Sequence, residues 1–353
     1  MNAPAPVTAL SSSISRRAQP LPSPAVLRQR LPLESTQAAQ IQHSREAIRA
    51  VLNGTDERLL VVVGPCSLHD PESALEYADR LALLLPQVSD QLLLVMRAYV
   101  EKPRTTIGWK GLLYDPHLDG SADMAEGLAL SRRLMLQILQ RGLPLATELL
   151  QPMAAGYLED LLSWAAIGAR TTESQIHREM VSGLNLPVGF KNGTDGSVAI
   201  ACDAMRSASH AHQHLGMDDL GHPALLLTAG NPDTHLVLRG GHTGPNYQAE
   251  DVAKACAALL KQGVNPRLVV DCSHANSGKD PLRQPQVMRS VIEQRLQGDK
   301  NLRGVMLEGH LFDGCQPLSS ELQYGVSITD GCLGWAATES LLLEAAQRLR
   351  AKA

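Results

Sequence analysis

A chain of 353 residues with 44% hydrophobic residues is long enough to bury a full core and fits a single α/β barrel with additions. Its 32 basic and 36 acidic residues leave a net charge of −4, which excludes the strongly basic surface that a nucleic acid or an anionic membrane would require. No stretch approaches the ~18 consecutive apolar residues of a membrane span, and six scattered cysteines (66, 202, 256, 272, 315 and 332) without framework spacing point to the reducing cytoplasm.

Residues 1–28 are rich in Pro, Ser and Ala and contain no acidic residue, as a targeting segment would. Prolines at 4, 6, 20, 22 and 24 would break an amphipathic targeting helix, so the segment reads better as a mobile arm that docks on a neighbouring subunit. Residues 29–58 form an N-terminal extension whose helical pattern, Gln37–Leu52, stops at Asn53-Gly54. From 59 to 353, short apolar runs alternate with amphipathic stretches. The runs are Leu59–Val63, Leu92–Met96, Pro144–Thr147, Ala165–Gly168, Pro187–Phe190, His235–Leu238, Leu268–Val270 and Gly304–Leu307. Eight such runs, most followed by a helical pattern, predict a (β/α)8 TIM barrel, with a doubly wound open sheet as the rival. Asp70-Pro71 before Glu72–Leu85, Ser174 before Gln175–Leu184 and Asp280-Pro281 before Leu282–Leu296 supply caps or first-turn prolines, and Trp335–Leu349 is a final helix. The stretch at about 206–232 is too long for a simple connection between the fifth and sixth strands. Its own apolar run, Ala224–Thr228, predicts an inserted β-hairpin.

Polar and charged residues follow nearly every run, always on its C-terminal side, where a parallel barrel gathers them at one mouth. Arg97, Lys102, Arg104, Arg170, Lys191 and Arg239 would crowd a neutral pocket there. Any one of them reads as a solvated surface charge, but like charges at one topological point repel unless anions separate them. Arginine forks beside Gly and Thr suit phosphate and carboxylate oxygens, so substrates with more than one anionic group are expected. Cys66, His274 and Glu308 follow the first, seventh and eighth runs, which become neighbours when the barrel closes, and Asp330 lies on the loop after the eighth. A thiolate, an imidazole and two carboxylates could hold one divalent metal ion. Taken singly, Cys66 also reads as a small core residue and His274 as a hydrogen-bonded structural histidine. His210, His212 and His214 alternate like metal ligands but read more simply as a solvated loop, and Trp109, Trp164 and Trp335 as packing residues. No G-x-S-x-G, Walker loop or dinucleotide fingerprint follows a strand, which argues against serine hydrolase, nucleotide hydrolase and dehydrogenase activities.

The assembled motifs resemble those of the class I, aromatic amino acid-regulated 3-deoxy-D-arabino-heptulosonate-7-phosphate (DAHP) synthases. The resemblance runs from Leu21-Pro22 to the last helix. It rests on Gly64-Pro65-Cys66-Ser67, Lys102-Pro103-Arg104-Thr105-Thr106, Gly168-Ala169-Arg170-Thr171-Thr172-Glu173-Ser174, Gly189-Phe190-Lys191-Asn192-Gly193-Thr194, Leu238-Arg239-Gly240-Gly241, Ser273-His274-Ala275-Asn276 and Ser327-Ile328-Thr329-Asp330. It implies condensation of phosphoenolpyruvate with erythrose 4-phosphate in the shikimate pathway. It also implies a metal (Mn, Fe, Co or Zn) on Cys66, His274, Glu308 and Asp330, and a homodimer or homotetramer. By the same resemblance Arg97, Arg170, Lys191 and Arg239, with Glu148 and Ala169 nearby, match phosphoenolpyruvate-binding positions. Lys102, Pro103, Arg104 and Thr105 match the erythrose 4-phosphate segment, with Lys102 the candidate general acid.

The sequence departs from the family pattern in two places. His242-Thr243-Gly244-Pro245 stands where many relatives have a lysine and one residue fewer, and Gly309 follows Glu308 where bacterial relatives often have a second glutamate. Neither change removes a matched ligand. An aromatic amino acid effector is expected between the insertion and a neighbour's N-terminal segment. Gly216 stands where phenylalanine-responsive relatives tend to have serine, and the smaller residue favours tyrosine, then tryptophan, then phenylalanine. The rival readings are a 3-deoxy-octulosonate 8-phosphate synthase, whose relatives resemble Lys-Ala-Asn-Arg at the Lys102 segment, and a non-catalytic amino-acid-sensing barrel.

Overall fold

The computed structural model describes residues 18–351. Two helices come first, α1 (Pro24–Arg30) and α2 (Ser35–Asn53), so the arm expected over 1–28 is irregular over 18–23 and helical from Pro24, while residues 1–17 lie outside the described residues. Eight parallel strands then close a barrel: β1 (Leu59–Gly64), β2 (Leu92–Arg97), β3 (Leu145–Glu148), β4 (Trp164–Ile167), β5 (Val188–Lys191), β8 (Thr234–Leu238), β9 (Leu268–Asp271) and β10 (Leu302–Glu308). Between β5 and β8 an antiparallel hairpin, β6 (Gln213–Met217) and β7 (Pro223–Leu227), stands where the insertion was expected. The open-sheet alternative fails because β1 pairs both β2 and β10.

Helices α3 (Pro71–Val88), α4 (Met124–Leu139), α5 (Pro152–Leu158), α6 (Gln175–Ser182), α7 (Ala199–Ala208), α8 (Ala249–Lys261), α9 (Gln284–Leu296) and α10 (Trp335–Arg350) complete the fold. Asp70 caps α3 by accepting from the Glu72 and Ser73 amides, as its Asp-Pro start predicts. The helix expected from Leu282 begins instead with a 3-10 turn, Pro281–Arg283, capped by Asp280. Ser174 precedes α6 as expected but makes no capping bond, because its hydroxyl pairs with His177 Nδ1 at 2.9 Å. Among the described residues no helix is long and apolar enough to cross a membrane.

Alternation along the strands divides the core in two. One set of side chains, including Val61, Leu94, Leu145 and Val270, packs under the helices. The other set, including Leu60, Val62, Val95, Ala146, Trp164, Ala166, Val237, Val269 and Met306, fills the barrel interior. Ile48, Val51 and Leu52 of α2 join this inner cluster. Polar bonds place α2 across the strands' N-terminal ends: Arg45 donates to the Leu162 and Glu159 carbonyls, and Arg49 donates to Asp233 and Asn185. Gly54, in the left-handed region at φ 79°, terminates α2.

Trp164 is too large for a barrel interior unless an opposite position is vacant. Gly189 supplies the room, since a Cβ there would lie 2.8 Å from Trp164 Cζ2 and 2.6 Å from Val237 Cγ2. Gly189→Ala is therefore expected to lower stability by about 1–3 kcal/mol through overpacking. Urea denaturation checks this; an unchanged midpoint would mean that Trp164 can move aside.

Candidate active site at the barrel mouth

The inward alternation that packs the barrel floor continues upward into charge. Above Val95 on β2 comes Arg97, above Ala146 on β3 comes Glu148, and Lys191, Asp271 and Glu308 end β5, β9 and β10. Glycines make space for this layer. A Cβ on Gly168 would strike the Glu148 carboxylate, and one on Gly64 would lie 3.3 Å from Arg97 Cβ. The result is a cavity of about 940 Å³ lined by Arg97, Lys102, Pro103, Arg104, Thr105, Glu148, Ala169, Arg170, Lys191, Arg239, His274, Glu308 and Asp330. Every residue expected to bind substrate therefore meets in one place. Gly216 is elsewhere, on the hairpin opposite Ala224.

Most of the charges are paired. Lys191 Nζ lies 2.8 Å from Asp271 Oδ2, Arg97 Nη2 lies 3.2 Å from Glu308 Oε1, and all four side chains are buried. Asp271 also meets His274 Nδ1 at 3.0 Å and accepts from the Ser273 hydroxyl at 2.6 Å. Burial alone would push the Asp271 carboxyl up, but Lys191 and His274 outweigh it and hold it well below the usual carboxylate range. Arg97 Nε donates to the Pro65 carbonyl at 3.1 Å, while its Nη1 is buried without a partner. Asparagines tie the surrounding loops together. Asn192 donates to the Gly240 carbonyl and accepts from the Arg239 amide, and Asn276 donates to the Leu238 and Asp271 carbonyls.

Of the four expected metal ligands, Cys66, Glu308 and Asp330 offer donor atoms within 4.8 Å of one another. His274 lies beside this trio, not within it; Asp271 and Ser273 engage its Nδ1, which leaves its other ring nitrogen available. The donor set suits a cation on its own chemistry. A thiol and two carboxylates converge, and the Lys102 ammonium rests among them, 2.7 Å from Cys66 Sγ and 3.2 Å from Asp330 Oδ2. Burial, reinforced by Glu308, pushes the Cys66 thiol up to about 12, as expected for a sulfur that needs a cation to ionise. Asp330 is drawn down to about 2; burial opposes this, but Lys102 and His274 prevail. His210, His212 and His214 join no such group among the described residues, and their ring nitrogens meet the Arg206, Ser207 and Leu215 carbonyls.

Asp271 and Glu101 escaped the sequence reading as functional residues. A counter-ion for buried Lys191 is required on general grounds, and the inward parity of β9 could have pointed to Asp271. No sequence signal marks Glu101, which is buried and joins two loops. It accepts from the Leu150 and Gln151 amides at 3.3 Å each and from the Tyr114 hydroxyl at 3.2 Å.

Burial pushes the Glu101 carboxyl up from 4.5 to about 7 despite these three donors, and nearby Glu148 adds to the rise. A carboxyl raised on folding stabilises fully below its unfolded value and loses that contribution as pH rises through its folded value. Between about pH 5 and 8, thermal stability should therefore fall by roughly 2–3 kcal/mol more in the native chain than in Glu101→Gln. Parallel stability curves for the two proteins would show that Glu101 ionises like an exposed carboxyl.

Comparison with known proteins places this geometry. The DAHP synthetase I family matches residues 33–343. The Tyr-sensitive phospho-2-dehydro-3-deoxyheptonate aldolase of Escherichia coli K12 is 54% identical over 334 residues, 94% of either chain. The Phe-sensitive aldolase of the same organism is 49% identical over 331 residues, 93% of this chain and 94% of that one. The solved structure of phospho-2-dehydro-3-deoxyheptonate aldolase from Francisella tularensis SCHU S4 superposes with a TM-score of 0.94 at 41% identity, covering 97% of this chain and all of that one.

Proposed function

The chain belongs to the DAHP synthetase I family, and from that premise we propose how its barrel mouth performs the DAHP synthase reaction. The enzyme joins phosphoenolpyruvate, erythrose 4-phosphate and water, giving 3-deoxy-D-arabino-heptulosonate 7-phosphate and phosphate. C3 of the enol phosphate bonds to the aldehyde carbon, water adds at C2, and C–O cleavage releases phosphate. The observation that carries the assignment is the single cavity in which Arg97, Lys191, Arg239 and Arg170 stand beside the Cys66, Glu308 and Asp330 donors.

In this reading Arg97 and Lys191 form the floor that receives phosphoenolpyruvate, with the unpaired Arg97 Nη1 directed to one of its oxygens. Arg239 and Arg170 complete that subsite, beside Glu148 and Ala169. Arg104 and Thr105 are exposed at the rim, and Arg170 Nη2 donates to the Thr105 hydroxyl at 3.1 Å; this edge suits the phosphate of the sugar. Cys66, Glu308 and Asp330, joined by the free ring nitrogen of His274, would hold the divalent metal. The Asp271–His274 contact fixes which nitrogen is free. When bound, the metal would supply Lewis acidity toward the aldehyde oxygen, and the mixed S, N and O donors admit Mn, Fe, Co or Zn. Lys102 carries its charge in this pocket: burial opposes it, but the Glu308 and Asp330 carboxylates and the bond to Cys66 Sγ restore it. Its Nζ therefore holds a proton where the new alkoxide forms.

The regulatory reading centres on the hairpin, and the Tyr-sensitive relative supports tyrosine as effector. The room expected beside Gly216 is filled by Leu226, whose Cδ1 would lie 2.4 Å from an added Cβ. A larger residue here would displace Leu226, and a ring could take its place if that flexible side chain swung away. Leu215, Leu225 and Leu227 are exposed on the hairpin, which supports a homodimer or homotetramer covering it.

Phosphate release from phosphoenolpyruvate should require erythrose 4-phosphate and stop after chelation, returning on addition of a divalent metal. Activity surviving complete metal removal would refute the metal reading. Cys66→Ala should abolish turnover while leaving the circular dichroism spectrum and melting midpoint close to native, because only a small buried sulfur is lost. At equal concentrations tyrosine should inhibit most, tryptophan less and phenylalanine least; strong inhibition by phenylalanine alone would sink that order.

A further inference from the structure

Tyr99 follows Arg97 at the next inward position past the end of β2. It is 2% exposed and lines the cavity floor, yet its buried hydroxyl has no hydrogen-bond partner. The Arg97 guanidinium carbon lies 3.9 Å from the centre of its ring, a cation–π contact. The ring, the Pro65 and Cys66 carbonyls and Glu308 together hold the arginine. Two donors are thus left over in one buried place, Arg97 Nη1 and the Tyr99 O–H.

Buried donors without acceptors are costly, and native structures retain them where something else completes the bond. None of the neighbouring carboxylates reaches the hydroxyl, although Glu148 lines the same cavity. Asp271 is taken by Lys191, Ser273 and His274, and Glu308 by Arg97. Burial pushes the Tyr99 hydroxyl up against the opposing pull of Arg97 and Lys191, with Glu148 and Asp271 adding to the rise, so it stays a neutral O–H donor.

We propose that Tyr99 is a further substrate-binding residue, its hydroxyl donating to an anionic oxygen of phosphoenolpyruvate alongside Arg97 Nη1. The same ring steadies the arginine. This rests on the assignment of phosphoenolpyruvate to the Arg97 and Lys191 floor.

Tyr99→Phe removes only the hydroxyl. Without ligand the variant should melt at or slightly above the native midpoint, since it loses an unpaired buried O–H. The upward shift of that midpoint with phosphoenolpyruvate should shrink. The KM for phosphoenolpyruvate should rise about tenfold, the loss expected for one hydrogen bond to a charged group, and that for erythrose 4-phosphate should not change. Tyr99→Leu, which also removes the ring, should raise the phosphoenolpyruvate KM further. Equal values for the two variants would overturn the ring's part. If native protein shows the phosphoenolpyruvate shift and Tyr99→Phe keeps both shift and KM, the hydroxyl assignment is wrong. If native protein shows no such shift, the substrate assignment of the floor fails instead.

Discussion

The site depends on a single electrostatic constraint: opposite charges must be buried together at the top of an apolar barrel. Lys191 against Asp271 and Arg97 against Glu308 are closed contacts in almost complete burial. A lone charge at this depth would cost several kcal/mol in lost hydration, whereas a hydrogen-bonded pair offsets most of that penalty. Pairing also leaves each cation with bonding capacity to spare. Arg97 uses Nε and Nη2 on the protein and keeps Nη1. Neutralising one member would leave its partner uncompensated, so the layer is a unit and its geometry is inherited by whatever binds above it.

The same constraint explains why the glycines lie where they do. Gly64 and Gly168 lie beneath or beside Arg97 and Glu148, and Gly189 yields to Trp164 one layer below. Side chains at these points would push the charged layer off the indole floor. The barrel thus alternates filled and vacated positions, with bulk concentrated in Trp164 and charge concentrated above it.

Much of this was legible in the sequence. Runs such as Leu59–Val63 and Leu92–Met96 are apolar on both faces because a parallel barrel buries both, which made the strands countable. Once counted, Cys66, Glu308 and the basic residues fell at one mouth by topology alone. His274 was placed at the mouth, but its contact with Asp271 was not read, because a side-chain bond three residues away leaves no periodic trace. Tyr99 and Glu101 were passed over for a related reason. Both follow Arg97 beyond the end of β2: Tyr99 still keeps the inward parity but reads as one more packing aromatic, and Glu101 lies in a segment where only the folded loops decide what a side chain meets. Ser174 shows the converse: the boundary was right although its hydroxyl had been claimed by His177.

The closure of the barrel by α2 has a consequence for traffic. With Ile48, Val51 and Leu52 packed onto an interior already filled by Trp164, the vessel has a filled base and opens at the mouth. Arg97 and Lys191 lie at the bottom of that vessel, while Arg104 and Thr105 are exposed at its lip. On the assignment proposed above, a sugar phosphate held at the lip would lie in the path to the bottom, where phosphoenolpyruvate is placed. Order of arrival would then follow from depth, the deeper substrate entering first.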